Sequence, residues 1–394
     1  METRTTWNNQ NVWEASGFLK FLNDHFINPN DLLSPSRNGE SLRFFRLKQP
    51  ADNKTRLKSI AAELSQAVQL DGENAVPQVI PWLPGFYSVP VSAPLSRLSL
   101  YQDGQMYGID ISSGYAVSLL NIQPGEHVLD LCCAPGAKLT MIADLLQFQG
   151  SVTGVDYSVS RLGACRHLVY KYKIQCVSDA AIAEWRCRLF HADGRTFNIG
   201  PKTECSSMDG VEMLLDTQDI ASRAPKNRMR MRKNKSARAR DAKRRNMLIV
   251  DSALYDKVLV DAECTHDGSI RHLQRLNTAE KWEEYVRNHL NSIEVERILN
   301  LQHGLIRNGF KMLRPGGTMI YSTCSLSTKQ NEDIVSKFLE AEPLAKIDSI
   351  PYSKDVPCKE GKLQGTIRFT PSQNTSGLFI ARIYKDSPVL EQDN

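Results

Sequence analysis

Two of the nine cysteines stand where a short β-branched stretch ends. Cys264 follows Lys-Val-Leu-Val-Asp-Ala-Glu, and Cys324 follows Thr-Met-Ile-Tyr-Ser-Thr. If these stretches are neighbouring strands of a parallel sheet, both thiols face one crevice, because such sheets bind ligands at the carboxyl ends of their strands. Paired thiols there suit covalent catalysis, in which a thiolate adds to a substrate carbon. A lone cysteine is usually an inert buried thiol, and we apply that interpretation to the other seven.

A second group of candidate residues consists of carboxylates that end predicted strands. Asp130 precedes a turn that closes at Gly136, where glycine permits the tight passage from strand to helix and the turn amides face a ligand. Asp156 lies twenty residues after Gly136, which is about where a carboxylate accepts hydrogen bonds from ribose hydroxyls. Asp193 and Asp261 end two further strands. Any one of them could equally be a helix N-cap or a turn former, but together they predict a nucleotide-type site.

The elements that hold these residues alternate between strand and helix from about residue 121 onward. The predicted strands are 127–132, 152–156, 188–193, 257–262 and 318–324. The predicted helices are 138–148, 160–172 and 294–313. This alternation predicts an α/β fold with a doubly wound, mostly parallel sheet. Residues 365–385 predict an antiparallel hairpin at the sheet edge. No Gly-x-Gly-x-x-Gly follows the first strand and no phosphate-binding P-loop motif is present, which disfavours dehydrogenases and P-loop enzymes.

The N-terminal part of the chain has a different pattern. Residues 10–70 carry apolar side chains at helical spacing, which predicts helices. A Pro/Gly-rich passage at 76–95 predicts extended chain or loop. We therefore expect a small helical or mixed accessory domain over 1–105, followed by a main domain over 106–388.

The net charge of +5 conceals a strongly basic segment, residues 223–245, with twelve Lys or Arg and one acid. This basic segment carries +11, which leaves −6 for the rest of the chain. It lies in a stretch of about 200–248 that is too long for an ordinary connection, so we interpret that stretch as an inserted, disordered loop. A block of this kind is typical of a nucleic-acid arm, and equally of a nuclear address.

Composition excludes several classes of protein. Nine scattered cysteines without a Cys-x-x-Cys pair indicate free thiols in an intracellular protein, not a disulfide framework or a zinc site, and we expect no metal. No apolar run approaches the roughly 18–20 residues of a membrane span. The first residues, METRTTWNNQ, lack the features of a secretory signal.

Five stretches together resemble the Nol/Nop/Sun family of RNA cytosine-5 methyltransferases. They are DLCCAPGAK, VTGVDYSVSRL, HADGR, VLVDAEC and PGGTMIYSTCSLSTKQNED. The resemblance covers about 105–388 and implies a class I, Rossmann-like methyltransferase domain that uses S-adenosyl-L-methionine. The basic segment and the first hundred residues lie largely outside it.

The resemblance also implies a cofactor site. The turn would wrap the methionine part of the cofactor, Asp156 would hold the ribose, Arg161 would lie alongside it, Asp193 would reach the adenine, and Asp261 would lie at the methyl-transfer centre. The residues of this turn are Cys132, Cys133, Ala134, Pro135, Gly136, Ala137 and Lys138. The family usually has glycine where this chain has Ala137.

The catalytic residues implied by the resemblance are Cys324, Cys264, Asp261 and Lys138. Carbon 5 of cytosine becomes nucleophilic enough to take a methyl group when a thiolate adds at carbon 6. Cys324 would be that nucleophile, Cys264 would assist release, Asp261 would bind the polar edge of cytosine, and Lys138 would lie near the base. The family usually has proline where this chain has Glu263, and we expect this carboxylate to raise the pKa of Cys264.

These residues predict an RNA methyltransferase that acts on tRNA, with rRNA as the next choice. We expect a monomer that makes no contact with a membrane. We expect it in the nucleus or nucleolus or in the cytoplasm. Because the target base must leave its stack, single-stranded RNA or a flipped base is favoured. Three alternatives remain. A DNA methyltransferase would use the cysteine at position 264 as its nucleophile, an RNA-binding scaffold would not need Cys324 or Asp261, and a small-molecule methyltransferase would not need two cysteines.

Replacing the basic segment by a Gly/Ser linker of equal length tests its role as an RNA arm. We expect weaker RNA binding and a shallower dependence of log affinity on log salt, because fewer phosphates are neutralised. Fluorescence anisotropy with a single-stranded RNA over about 50–300 mM salt measures this slope. An unchanged slope would leave the nuclear address as the interpretation.

Overall fold

The computed structural model describes most of the chain in eleven stretches. They are residues 17–32, 42–48, 53–68, 76–174, 185–203, 207–208, 210–218, 254–273, 275–276, 278–373 and 375–387. The α-helices are α1 (Phe18–Asp24), α2 (Asn53–Val68), α3 (Ser99–Gln102), α4 (Ile111–Ser118), α5 (Ala137–Leu145), α6 (Val159–Lys171), α7 (Ile270–Leu273), α8 (Ala279–His289), α9 (Ser292–Met312) and α10 (Glu332–Ala341). The first four strands are β1 (Leu42–Leu47), β2 (Gln78–Val79), β3 (Phe86–Pro90) and β4 (Met106–Gly108). The remaining strands are β5 (His127–Asp130), β6 (Ser151–Asp156), β7 (Arg186–Ala192), β8 (Ser207–Met208), β9 (Val211–Asp216), β10 (Tyr255–Asp261), β11 (Leu313–Thr323), β12 (Ala345–Ile347), β13 (Lys359–Glu360), β14 (Ile367–Phe369) and β15 (Leu378–Lys385).

The larger sheet is mixed, with the strand order β13-β14-β15-β11-β10-β5-β6-β7-β9-β8, and β12 pairs with β15. The pairs β10–β5, β5–β6 and β6–β7 are parallel. Strand β6 is buried along its whole length, as expected for a central strand covered on both faces. The predicted α/β fold with a mostly parallel sheet is therefore confirmed, as is the antiparallel hairpin of β14 and β15.

The expectation that residues 10–70 are helical holds for α1 and α2 but is wrong for Leu42–Leu47. Strand β1 lies within that range and pairs antiparallel with β3 and β4. It belongs to a four-stranded sheet of order β2-β3-β1-β4. Phe45 and Leu47 of this strand pack in one core with Ile60 and Leu64 of α2. A short strand with two adjacent phenylalanines also fits a helical pattern, and the long-range pairing decides between them.

The chain forms two compact units. One contains residues 1–119, 261–306 and 320–383, and the other contains 120–260, 307–319 and 384–394. Within the first unit, Phe18 of α1 is fully buried and its ring lies 5.0 Å from that of Trp282 in α8. The N-terminal helix thus shares a core with a helix from the C-terminal half, while the domain boundary near residue 105 stays a prediction.

The expectation that 200–248 is loop throughout is also wrong. Strand β9 pairs antiparallel with β7, and β8 pairs with β9, so this part of the stretch extends the sheet. Asp216 at the end of β9 is buried and forms an ion pair with Arg186 at 2.6 Å. The basic segment lies outside the described residues. Within the described ranges, no helix combines the length and the apolarity that a bilayer span requires.

Candidate functional site

The predicted cofactor turn joins β5 to α5 in the second unit. Gly136 has φ +108°, and a Cβ there would lie 3.2 Å from the Cα of Cys165. Gly154 in the next strand is equally constrained, because a Cβ there would lie 2.9 Å from Cys133 Sγ. Glycine is therefore needed at both positions, one for its backbone conformation and one for close packing of the turn on β6.

Asp156 and Arg161 hold this turn in place. The carboxylate of Asp156 accepts hydrogen bonds from the backbone N–H of Ala134 at 3.1 Å and of Ser158 at 2.9 Å. The Arg161 guanidinium donates to the carbonyl of Ala134 at 2.7 Å. Each carboxylate oxygen has a second lone pair, so Asp156 can still accept from a ribose hydroxyl.

The two adjacent cysteines of the turn differ in exposure. Cys133 is buried, with its Sγ 4.0 Å from that of Cys165, and burial raises the pKa of Cys133 well above its usual range. Its thiol is thus a packing group. Cys132 is partly exposed, and Lys138 is the second residue of α5.

Asp193 lines a cavity of about 530 Å³ in the same unit. The other lining residues are Tyr157, His191, Ala192, Thr196, Asn198, Gly210 and Val211. Arg195 forms an ion pair with Asp193 at 2.7 Å and lowers the pKa of that carboxyl. The cavity follows the ends of β6 and β7 and presents an exposed aromatic ring with polar groups, which fits a nucleoside.

In the first unit the structure brings together Cys264 and Cys324, called the thiol pair below. Their Sγ atoms lie 3.2 Å apart. The ends of β10 and β11 are joined by a hydrogen bond from Ala262 N to Ser322 O at 2.9 Å, which explains why the residues that follow them meet. Cys324 is partly exposed, whereas Cys264 is 3% exposed. A substrate from solvent can therefore reach Cys324 more easily.

Asp261 ends β10 beside the thiol pair. Its Oδ1 accepts a hydrogen bond from Ser322 Oγ at 2.7 Å, which fixes the carboxylate at the strand end. Its charge is one of the causes that raise the pKa of Cys324. Asp261 is therefore placed beside the sulfur that faces solvent, where it can accept a hydrogen bond from a bound base.

His266 is a functional candidate that the sequence analysis missed. Its Nδ1 lies 3.1 Å from Cys324 Sγ and 3.8 Å from Cys264 Sγ. The only signal in the sequence is a histidine two residues after Cys264, a spacing that also occurs by chance. The three atoms lie within 4.8 Å of one another, which is close enough for them to share a proton.

The pKa values of Cys264, Cys324 and His266 depend on one another, because the three side chains are in contact. Burial opposes ionisation of Cys264, but the hydrogen bond from Cys324 and the adjacent imidazole outweigh it and lower the pKa of Cys264 to about 5. The hydrogen bond to Cys264, together with burial, raises the pKa of Cys324. The thiolate in turn raises the pKa of His266 to about 9. These shifts favour a thiolate beside an imidazolium over two neutral groups.

The expectation that Glu263 raises the pKa of Cys264 is wrong. The carboxylate of Glu263 is turned toward Arg297, with an N–O distance of 2.7 Å, and is about half exposed. The ion pair and the solvent reduce its effect on the buried sulfur. Its charge instead helps to keep His266 protonated, and that imidazolium lowers the pKa of Cys264.

Comparisons with known proteins identify the family of the chain. A family model described as 16S rRNA methyltransferase RsmB/F matches residues 117–186 and 217–384, which is more than half of the chain. Ribosomal RNA small subunit methyltransferase F of Aeromonas salmonicida is 24% identical over 383 residues, 94% of this chain and 65% of that protein. The protein of the same name from Erwinia tasmaniensis is 27% identical over 320 residues, 79% of this chain and 52% of that protein. The chain thus spans less than two thirds of these relatives.

Solved structures show the same fold. The crystal structure of NSun6 from Pyrococcus horikoshii with SFG, an S-adenosylmethionine analogue, has a TM-score of 0.58 at 17% identity over 96% of this chain and 97% of that one. A methyltransferase homologue protein from Pyrococcus horikoshii has a TM-score of 0.56 at 19% identity over 97% of this chain and 100% of that one. On the family match, the cofactor is S-adenosyl-L-methionine, as predicted. The predicted Nol/Nop/Sun resemblance is confirmed, and the chain belongs to the RsmB/F family of methyltransferases.

Proposed function

We propose that this protein transfers the methyl group of S-adenosyl-L-methionine to carbon 5 of cytosine in RNA, with Cys324 as the covalent nucleophile. The single observation that carries the proposal is the thiol pair, in which one sulfur is accessible and the other is buried 3.2 Å away. A methyltransferase that acts on an already nucleophilic atom has no need of such a pair.

In the proposed reaction the cofactor supplies an electrophilic methyl group, and the residues of the chain prepare the base. The Cys324 thiolate adds to carbon 6, so that carbon 5 becomes nucleophilic and takes the methyl group. Asp261 accepts a hydrogen bond from the polar edge of cytosine and holds the base in register with Cys324. Water then takes the proton on carbon 5, the electron pair of that C–H bond re-forms the double bond between carbons 5 and 6, and the bond between carbon 6 and sulfur breaks with its electron pair on Cys324. Cys264 assists that release, because its sulfur lies beside the leaving sulfur.

The cofactor turn positions the methyl donor in this proposal. The residues from Cys132 to Lys138 would surround its methionine part, the Asp156 carboxylate would hold its ribose, and the cavity beside Asp193 would take its adenine. Arg161 supports the turn through the carbonyl of Ala134, as observed. For Asp193 to contact the adenine, its oxygens must be shared with Arg195.

The proposal also concerns which RNA is the substrate. The sequence favours tRNA before rRNA, whereas the names of the relatives support small-subunit ribosomal RNA. The cysteine-substitution experiment below therefore uses tRNA and small-subunit ribosomal RNA in separate reactions. The relatives compared are bacterial proteins and give no support to a nucleolar location.

Cysteine substitutions test the mechanism. Wild type with labelled cofactor should label RNA at cytosine carbon 5 and leave DNA unlabelled. Cys324→Ala should abolish labelling, because no thiolate then activates the base. Cys264→Ala should retain the covalent adduct, seen as an RNA-dependent shift of the protein band on a denaturing gel.

The matched control is Cys358→Ala, another partly exposed cysteine in the same unit, which should label RNA at the wild-type rate. Separate reactions with tRNA, with small-subunit ribosomal RNA and with DNA distinguish the substrates. Normal labelling by Cys324→Ala would show that the covalent mechanism proposed here is wrong.

Asp156→Asn tests the cofactor turn. The substitution replaces one carboxylate oxygen by an N–H₂ donor, which must face either an N–H of the turn or the ribose. We expect the affinity for S-adenosylhomocysteine to fall at least about tenfold, because each such mismatch costs about 1–3 kcal/mol. Isothermal titration calorimetry measures it, with Ser160→Ala as the exposed control. Equal affinities of wild type and Asp156→Asn for S-adenosylhomocysteine would show that Asp156 is not part of the cofactor site.

A further inference from the structure

His266 contacts both sulfurs of the thiol pair, and its imidazole ring can accept a proton from either of them. We propose that His266 is a further catalytic residue: its Nδ1 takes a proton from the thiol pair and holds it as an imidazolium, so that the pair carries a thiolate when Cys324 meets cytosine. This inference rests on the proposed function, because it assigns the origin of the nucleophile in that reaction.

The first support is the geometry of the three atoms. His266 Nδ1 lies 3.1 Å from Cys324 Sγ, and that sulfur lies 3.2 Å from Cys264 Sγ. A neutral imidazole with its proton on Nε2 accepts at Nδ1, so a proton on either thiol has a short route to the ring. A base in hydrogen-bond contact with a cysteine is the usual arrangement that activates a thiol nucleophile.

The second support is the way the backbone fixes this residue. The N–H of Gly268 donates to the carbonyl of Cys324 at 3.0 Å, and the N–H of Gly377 donates to the carbonyl of Gly268 at 2.8 Å. A Cβ at position 268 would lie 2.5 Å from the Cys324 carbonyl oxygen, so glycine is needed for this approach. The turn that carries His266 is thus tied directly to the residue whose proton it would take.

The third support is the conformation of His266, which has φ +59°. A side chain other than glycine in this left-handed region costs free energy, and such residues cluster at functional sites. Glycine would adopt this conformation at a lower cost. The residue is exposed, so a substrate from solvent can reach the ring.

Several charged groups face the ring and favour the imidazolium. They include the buried carboxylate of Asp267, which accepts from the N–H of Leu326 at 2.7 Å, and the carboxylate of Glu263. Arg297 offsets part of the Glu263 charge at 2.7 Å. Together with the thiolate they raise the pKa of His266 to about 9.

The neighbouring aromatic residues do not compete for the proton. The ring of His272 lies 5.5 Å from that of His266, and burial lowers the pKa of His272 to about 4. The ring of Tyr285 lies 5.1 Å from that of His272 in a tilted arrangement, and burial raises the pKa of Tyr285. Near neutral pH both are uncharged. The negative charge of Asp261 raises the pKa of Cys324. A nearby cation therefore contributes more to stabilising the thiolate.

The proposed step is a proton transfer from sulfur to the imidazole nitrogen. An S–H bond of the thiol pair breaks, the electron pair stays on sulfur, and an N–H bond forms at Nδ1 of His266. The remaining proton lies between the sulfurs and stays with Cys264 when Cys324 adds to carbon 6. On release, the electron pair of the carbon–sulfur bond returns to Cys324, and the ion pair with His266 is restored.

Thiol alkylation tests this step without RNA or cofactor. Wild-type protein is treated with iodoacetamide across about pH 5 to 10, with a chelator present to exclude metals, and the rate at Cys324 and Cys264 is read from their peptides by mass spectrometry. We expect reactivity with an inflection well below the value of about 8.5 of a free cysteine. An inflection at or above that value would overturn the proposal on wild type alone.

His266→Asn is the main variant, because asparagine tolerates a positive φ and cannot titrate here. Its inflection should move up by at least one pH unit, so that alkylation near about pH 6.5 slows at least tenfold. His266→Gln should do the same, and thermal unfolding confirms that both variants fold. The control is His289→Asn, a surface histidine that should keep the wild-type profile.

The methyl-transfer rate of the same variants links the step to the proposed function. His266→Asn should lose most activity near neutral pH and recover part of it at high pH, where the thiolate forms unaided. A merely structural role would lower the rate equally at all pH values. An alkylation inflection in His266→Asn equal to wild type would refute the role of His266, whereas absence of RNA methylation by wild type would refute the proposed function instead.

Discussion

The contact between the sulfurs of Cys264 and Cys324 is the constraint on which the chemistry of this chain depends. Two buried or half-buried thiols at 3.2 Å cannot both ionise, so the pair holds at most one thiolate. The contact follows from the neighbouring ends of β10 and β11, which share a hydrogen bond between Ala262 and Ser322. It also requires glycine at position 268, because a side chain there would collide with the carbonyl of Cys324.

The charges around the pair decide how the thiolate is stabilised. His266 supplies the positive charge, while Glu263 pairs with Arg297 and favours the protonated ring. The carboxylate that the sequence suggests should oppose a thiolate therefore supports it indirectly. The effect of Glu263 on the ionisation of Cys264 depends on the direction of the Glu263 side chain. That direction cannot be read from the fact that the two residues are adjacent in the sequence.

Much of the fold and part of the site could be predicted from the sequence. Strands such as β6 are short runs with β-branched residues that end in an acid, and helices such as α9 have a clear apolar face, so local pattern suffices for them. Strands β1 and β9 could not be predicted, because the pattern of β1 also fits a helix and β9 lies in a stretch that resembles an inserted loop, so only their pairing with other strands identifies them. His266 was missed for a similar reason, since its meaning depends on Cys324, which lies 58 residues further along the chain.

The most direct test of the central claim is to trap the covalent bond and locate it. RNA in which the target cytosine carries fluorine at carbon 5 cannot lose a proton from that carbon, so the adduct persists after methyl transfer. After digestion, peptide mass spectrometry should place the modified nucleotide on Cys324 in wild-type protein. An adduct on Cys264, or no adduct with an RNA that is methylated when unfluorinated, would contradict the account.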